Sequence, residues 1–316
     1  MNRNITVSLA MQPFLPPDAP HRLESTLERM AELVDGASQC GADLVAFPEM
    51  SNTCGAADEW QFEPLDGPTL TAMARKARQH SIAIVCPLLT LEEGRRYNSA
   101  VLIGPDGKLI GHYHKYFPTH WELDHGILPG SDTPVFETEW GRIGLSICFD
   151  LNYWEVGAGF CANRAELLIW SSMWEGARML TRWAIEFGFY MGAVYTGQAT
   201  FVDLAGREIS ALRRETLGRL GAAPLLTATL DLDRRLLHHD YNLDRLPALF
   251  ETYGPTAAVV EHLSTECLVV FGSRLADKSS DALIAEFGLE TLRAYLARAR
   301  RDRRLALEGT YRSPQD

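Results

Sequence analysis

Basic residues are too few here for charge-driven binding to polyanions. Lys and Arg number 30 against 41 Asp and Glu, a formal charge of −11 over 316 residues. Nucleic-acid and anionic-membrane partners are therefore disfavoured, because both require Lys and Arg to neutralise phosphates. No run of about 18 apolar residues offers a membrane span. The opening segment, Met1 to Val7, lacks a signal-peptide apolar core and leads straight into a short strand, which points to the cytoplasm. The six cysteines, Cys40, Cys54, Cys86, Cys148, Cys161 and Cys267, contain no C-x-x-C pair. Neither a zinc knuckle nor a disulfide framework is expected, and the thiols read as free. Repeats, low-complexity tracts and Pro/Gly/Ser-rich linkers are missing too. The 46% of hydrophobic residues is then expected to fill one main core.

Helical and strand periodicities interleave along the chain. Strands are expected at Ile5–Met11, Leu44–Phe47, Ile82–Pro87, Gly141–Cys148, Leu167–Trp170 and Thr227–Leu232. Helices are expected at His21–Ser38, Thr69–His80, Trp154–Asn163 and Met179–Met191. Hairpins turn at Pro105-Asp106-Gly107 and Ala205-Gly206-Arg207. Helices between strands indicate α/β layering, and the hairpins require antiparallel neighbours, so the sheets should be mixed. A last helical pattern spans Ser279 to Leu307 and ends in an arginine-rich run, Arg298 to Arg304. It reads either as a solvated amphipathic helix or as a tail packing on a partner subunit.

Three of the strands stop at residues with chemistry. Glu49 follows Asp43-Leu44-Val45-Ala46-Phe47-Pro48, Lys115 follows Lys108 to His114, and Cys148 ends Gly141 to Ile147. A carboxylate, an ammonium and a thiol are the types required of a base, an oxyanion stabiliser and a nucleophile. The backbone N–H of Phe149 is a second oxyanion donor, and Cys54, in a glycine-containing loop after Glu49, is a candidate pocket wall. Cys86, within Ile82 to Cys86, reads as strand core.

Taken in order, these motifs resemble those of the nitrilase (carbon–nitrogen hydrolase) superfamily over roughly Ile5 to Leu232. Ala42 to Glu49 is similar to the catalytic glutamate motif, and Tyr97-Asn98-Ser99-Ala100 through Lys115 to the hairpin ending in the family's lysine. Gly141 to Glu155 resembles the nucleophile motif, and Val202 to Arg207 the hairpin after it. The resemblance implies a four-layer αββα sandwich with two mixed β-sheets, paired through helices into at least a dimer. It also implies a second glutamate between lysine and cysteine, for which Glu122 is the candidate and Asp124 the alternative. Trp174 and Glu175 fall where the family forms its acyl pocket, with Trp121 and Trp60 as further candidates. Residues 1–275 then form the hydrolase domain and residues 276–316 a C-terminal helical extension. The chain departs from the family at Trp183-Ala184-Ile185-Glu186-Phe187 and at Asn152-Tyr153-Trp154, where other residues are commoner.

The reaction implied is hydrolysis of a non-peptide C–N bond in a small amide or N-carbamoyl compound. It passes through a Cys148 thioester, with no cofactor or metal and with ammonia or an amine released. Cys148-Phe149-Asp150 favours amide or carbamoyl substrates, whereas Pro118-Thr119-His120-Trp121-Glu122 has a nitrilase flavour, so a nitrile substrate is the alternative. Two other classes remain. One is a metal-dependent hydrolase using His112 and His114, which share a strand face, or His238-His239-Asp240; no carboxylate motif in the sequence completes either set. The other is a non-catalytic binding protein on the same fold.

Overall fold

Short apolar segments bounded by Gly, Pro and Asp become strands, and longer segments with a 3.6-residue apolar period become the helices covering them. A computed structural model describes residues 3–13, 22–53, 61–216 and 224–312. They pack as two units, Asn4–Leu232 and a smaller one from Asp233 onward that also takes in Arg3.

The larger unit holds two six-stranded sheets. The first runs in the order β12 (Leu225–Asp231), β1 (Asn4–Ala10), β2 (Leu44–Ala46), β3 (Ala83–Glu92), β4 (Arg95–Ile103), β5 (Leu109–His114). The second runs β11 (Glu208–Arg213), β10 (Gln198–Val202), β9 (Tyr190–Val194), β8 (Leu167–Ser171), β7 (Arg142–Ile147), β6 (Val135–Glu137). Parallel pairs occupy the middle of each sheet, β1/β2/β3 and β7/β8/β9, and hairpin strands flank them, so both sheets are mixed.

Helices α1 (Arg22–Gln39) and α2 (Pro68–His80) close the outer face of the first sheet. Their Met30, Leu33, Val34, Leu70, Met73 and Ala77 pack with Val45, Ile84, Cys86 and Val101 of the strands. Cys86 is thus core, as expected, and its burial pushes the thiol up to about 12. A five-residue α3 (His120–Asp124) follows β5, and α4 (Trp154–Ala162) and α5 (Arg178–Phe187) cover the second sheet. The two sheets meet through their inner faces. Ser171 Oγ on β8 donates to the Phe47 carbonyl at 2.8 Å, and Tyr113 Oη on β5 donates to Asp150 Oδ2 at 2.7 Å. The arrangement is the four-layer αββα sandwich that the motifs led us to expect.

Two expected helices end differently. Helix α5 stops at Phe187 because Gly188 adopts φ 67°, and Met191 belongs to β9. The C-terminal pattern is two helices, α7 (Ser280–Glu286) and α8 (Leu292–Leu307), broken where Gly288 takes φ 63° and where the Thr291 hydroxyl caps a new start.

In the smaller unit, β13 (Arg235–His238), β15 (Leu268–Ser273) and β14 (Ala258–Leu263) form a separate antiparallel sheet. Helix α6 (Asn242–Tyr253) supplies Leu246 and Leu249, and α7 supplies Leu283, to a core around Val269 and Phe271. Residues 233–275 therefore pack with the C-terminal helices, because their strands pair with one another. No helix among the described residues is long and apolar enough to cross a membrane.

Candidate active site

Glu49, Lys115 and Cys148 each stand just beyond or at the end of a central or hairpin strand of the larger unit, so the backbone leaves the sheet there. Glu49 follows β2, and Met50 after it has φ 49°, a left-handed turn. Ser51 fastens this turn to β3, its N–H and hydroxyl both donating to the Pro87 carbonyl at 2.8 and 2.6 Å. Cys148 itself has φ 45°. For a residue with a Cβ that conformation is unfavourable by roughly 1 kcal/mol, so surrounding contacts must hold it. Asp150 does so from inside the turn, accepting from the Ile147 N–H at 3.0 Å, the Phe117 N–H at 2.8 Å and Tyr113 Oη at 2.7 Å. One buried carboxylate thereby ties the cysteine turn to the loop after Lys115. Burial raises the Asp150 carboxyl to about 7, against the opposing pull of these donors and of Lys115. Asp150→Asn replaces an acceptor oxygen with a donor facing donors. Urea denaturation should register a loss of about 1–3 kcal/mol.

The Lys115 ammonium is 1% exposed and lies between two carboxylates, Glu49 Oε1 at 2.7 Å and Glu122 Oε2 at 2.8 Å. Asn98 Nδ2, buried on β4, donates to the same pair, at 2.8 Å to Glu49 Oε1 and 2.7 Å to Glu122 Oε1. Burial by itself lowers the lysine pKa, but Glu49, Cys148 and Glu122 outweigh it and hold the ammonium above the usual lysine range. Burial likewise raises Glu122, and Lys115 with the Asn98 and Thr119 hydrogen bonds overrides it, leaving that carboxyl below its ordinary value. Glu122 rather than Asp124 is the acid at Lys115; Asp124 is exposed. The reason is local. Glu122 closes a capping box on α3, with Thr119 Oγ1 accepting from its N–H while its Oε2 accepts from the Thr119 N–H at 2.7 Å. The spacing Thr119-x-x-Glu122 is the sequence signal that distinguishes the two acids.

Cys148 is nearly buried. Burial and then the Glu49 charge push its thiol up to about 12, while Lys115 and the Met173 N–H pull the other way. Trp170 Nε1 donates to the Cys148 carbonyl at 3.0 Å, and Trp174 meets the Trp170 ring edge-on. Glu49 Oε2 is buried and without a hydrogen-bond partner among the described residues.

Phe149 packs edge-on against Tyr153, whose ring stacks on Phe117 at 3.6 Å. Glu175 is exposed and accepts from Tyr195 Oη at 3.1 Å, and Trp121 is exposed beside His125. Cys54 and Trp60 lie outside the described residues. Asn98, Asp150 and the Met173 N–H are site contributors that the sequence did not single out. An amide side chain in the middle of β4, just before the apolar run Ala100 to Ile103, is the available signal for the first; a backbone N–H leaves none.

Among the described residues one group brings together three side chains of metal-ligating type: His112, His114 and Glu92, the last a carboxylate that no sequence motif supplied. Tyr113 points from β5 towards Asp150, so its neighbours His112 and His114 occupy the opposite face of the sheet from Tyr113 and Lys115. His238 and His239 diverge, the former stacking on Tyr295 and the latter beside His262.

Residues 10–235 match the family model for carbon–nitrogen hydrolases. A probable nitrilase of Schizosaccharomyces pombe is 27% identical over 261 residues, 74% of this chain and 93% of that protein. An (R)-stereoselective amidase of a Pseudomonas species is 31% identical over 157 residues, 48% of this chain and about half, 54%, of that one. Among solved structures, Saccharomyces cerevisiae Nit3, of branch 10 of the nitrilase superfamily, superposes with a TM-score of 0.62 at 19% identity, covering 80% of this chain and 95% of that one. The chain belongs to the carbon–nitrogen hydrolase family and is a hydrolase of carbon–nitrogen bonds other than peptide bonds.

Proposed function

We propose that the chain hydrolyses a small amide or N-carbamoyl compound through a thioester on Cys148, with Glu49 as base and Lys115 as oxyanion stabiliser. The observation that carries this reading is how the donors and acceptors around Lys115 are spent. An ammonium has three N–H bonds. Two of them go to Glu49 and Glu122, which leaves the third for an oxygen bearing developing negative charge. Glu49 in turn commits Oε1 to Lys115 and Asn98 and keeps Oε2 for a proton.

With the thiol raised to about 12, only roughly one part in 10⁵ is thiolate at pH 7. Attack therefore requires proton removal as the C–S bond forms, and Glu49 is the base. The carbonyl oxygen becomes an oxyanion held by Lys115 and the Phe149 N–H. Glu49 then returns its proton to the departing nitrogen, the C–N bond breaks, and a thioester remains. Water, deprotonated by Glu49, attacks that thioester and releases the acid and the thiol. Glu122 positions Lys115, with no part in the proton transfers. The Trp174 ring, with Trp121, Glu175 and Cys54 as further contributors, is read as the acyl-side wall, which favours a partly apolar acyl group.

The amidase among the relatives supports an amide substrate, and the probable nitrilase keeps a nitrile as the second reading. An ammonia-release screen over amides, N-carbamoyl compounds and nitriles tests the choice. Release from amides or carbamoyl compounds is expected; turnover confined to nitriles would reject the first reading. Association into at least a dimer through outer helices belongs to the same proposal, and sizing with and without the residues after Ser279 tests whether the tail takes part.

A further inference from the structure

We infer that Glu92, His112 and His114 form a zinc site on the outer face of the first sheet, separate from the Cys148 centre. The ligand set is two imidazoles and one carboxylate, to be completed by water as a fourth ligand, a combination that suits zinc. His112 Nε2 lies 3.5 Å from Glu92 Oε2, and His114 Nε2 lies 3.7 Å from Glu92 Oε1. All three ligand atoms fall within 4.8 Å of one another. Zinc bonds of about 2.0–2.1 Å in tetrahedral geometry place ligand atoms roughly 3.3 Å apart, so each imidazole already stands near that spacing from one carboxylate oxygen, and a turn of the Glu92 carboxylate presents a single oxygen to both. Small side-chain rotations then bring the histidines together.

The atoms behind these ligands make the case stronger than a chance cluster would. His114 Nδ1 lies 2.9 Å from Ser99 Oγ, Ser99 Oγ 2.6 Å from Thr90 Oγ1, and Thr90 Oγ1 donates to Glu92 Oε1 at 2.9 Å. Ser99 and Thr90 are fully buried. A proton on each atom in that order runs from His114 Nδ1 through both hydroxyls to the carboxylate. This fixes the tautomer with a lone pair on Nε2 and orients Glu92 by the same chain. Tyr97, stacked on the His114 ring at 4.0 Å, holds its plane. Such outer hydrogen bonds are what orient histidine and carboxylate ligands in metal sites. Because His112 and His114 lie on edge strand β5 and Glu92 on β3, the ion would bridge over β4 and fasten the edge of the sheet.

The test uses the full chain, stripped with a chelator and titrated with zinc sulfate in a calorimeter. One zinc per chain is expected. Binding should be lost in His114→Ala and His112→Ala, and Ser99→Ala, which removes no ligand but takes away the partner of His114 Nδ1, should weaken it about 10- to 100-fold. Glu92→Gln keeps size and shape at the end of β3, so its loss of zinc with normal unfolding would exclude misfolding as the cause. Zinc should raise the melting temperature of the unmutated chain and leave that of the His112, His114 and Glu92 variants unchanged. No uptake, or the same stoichiometry and affinity in both histidine variants, overturns the assignment. So does a thiolate-to-metal charge-transfer band on loading with cobalt(II), which would place the metal on a cysteine.

Discussion

Cys148→Ala is expected to lower kcat/KM by about 10⁴- to 10⁶-fold, the range in which removing a nucleophile disables a group of residues that act as a unit. The fold should survive, since only one buried sulfur is lost. Incubated with an amide substrate, the unmutated protein should show a mass increase equal to the acyl group less the thiol hydrogen it replaces, and the variant none. The turn supplies a second, independent readout. Cys148 and its alanine replacement both carry a Cβ at φ 45°, whereas glycine adopts that conformation freely. Cys148→Gly should therefore be more stable than Cys148→Ala by about 1 kcal/mol despite its greater unfolded-state entropy, because the released strain is the larger effect. Turnover near the wild-type level in Cys148→Ala would end the thioester reading. Equal stability of the two variants would show that the turn holds no strain.

Lys115→Met has the second largest effect, and it is expected in both activity and stability. Methionine fills the volume but leaves Glu49 and Glu122, which are 2% and 3% exposed at their side chains, without their cation. Breaking a buried ion pair from one side costs about 3–5 kcal/mol. Turnover should fall by roughly 10²- to 10³-fold or more through the lost oxyanion donor. The sign of the pH dependence should also change. In the unmutated protein Glu122 sits below its ordinary pKa, so its contribution is complete above the unfolded value and is lost as pH falls through the folded one. Lys115 sits above its ordinary pKa, so its contribution is complete below the unfolded lysine value and is lost only as pH rises further. Without the ammonium, burial is free to raise the Glu122 carboxyl, and protonating it relieves the site. Lys115→Met should then gain stability relative to the unmutated protein as pH drops from 7 towards 5. Urea midpoints at both values measure this, and parallel pH profiles would show that the cation does not balance the two acids.

How far the site could be read from the sequence depended on where each group sits on its element. Glu49, Lys115 and Cys148 stand at strand ends, and a strand end is visible as an apolar run that stops, so all three could be named along with the layered α/β fold. Glu122 was open against Asp124 because the choice depends on which way a short helix turns its carboxylates, although its capping spacing carried the answer. Asn98 and Asp150 act from within or beside apolar segments, where a polar side chain looks the same whether it serves a turn, a partner or a substrate. Glu92 is 22 residues from His114 in sequence; only the pairing of β3 with β4 and β4 with β5 brings the two together. The two helix ends were misplaced because a glycine inside an apolar pattern stops a helix only if the backbone reaches the left-handed region, as Gly188 and Gly288 do.

The arrangement of Glu49, Lys115 and Glu122 also bears on how the protein responds to its medium. Two carboxylates and one ammonium carry a net single negative charge, and moving the Cys148 proton to Glu49 only shifts that charge by a side-chain contact. All of these groups are buried, and mobile ions screen buried pairs far less than exposed ones. Ionic strength should therefore change the capture of a charged substrate while leaving the saturated rate almost flat. Salt thus becomes a means of separating encounter from chemistry in the same enzyme.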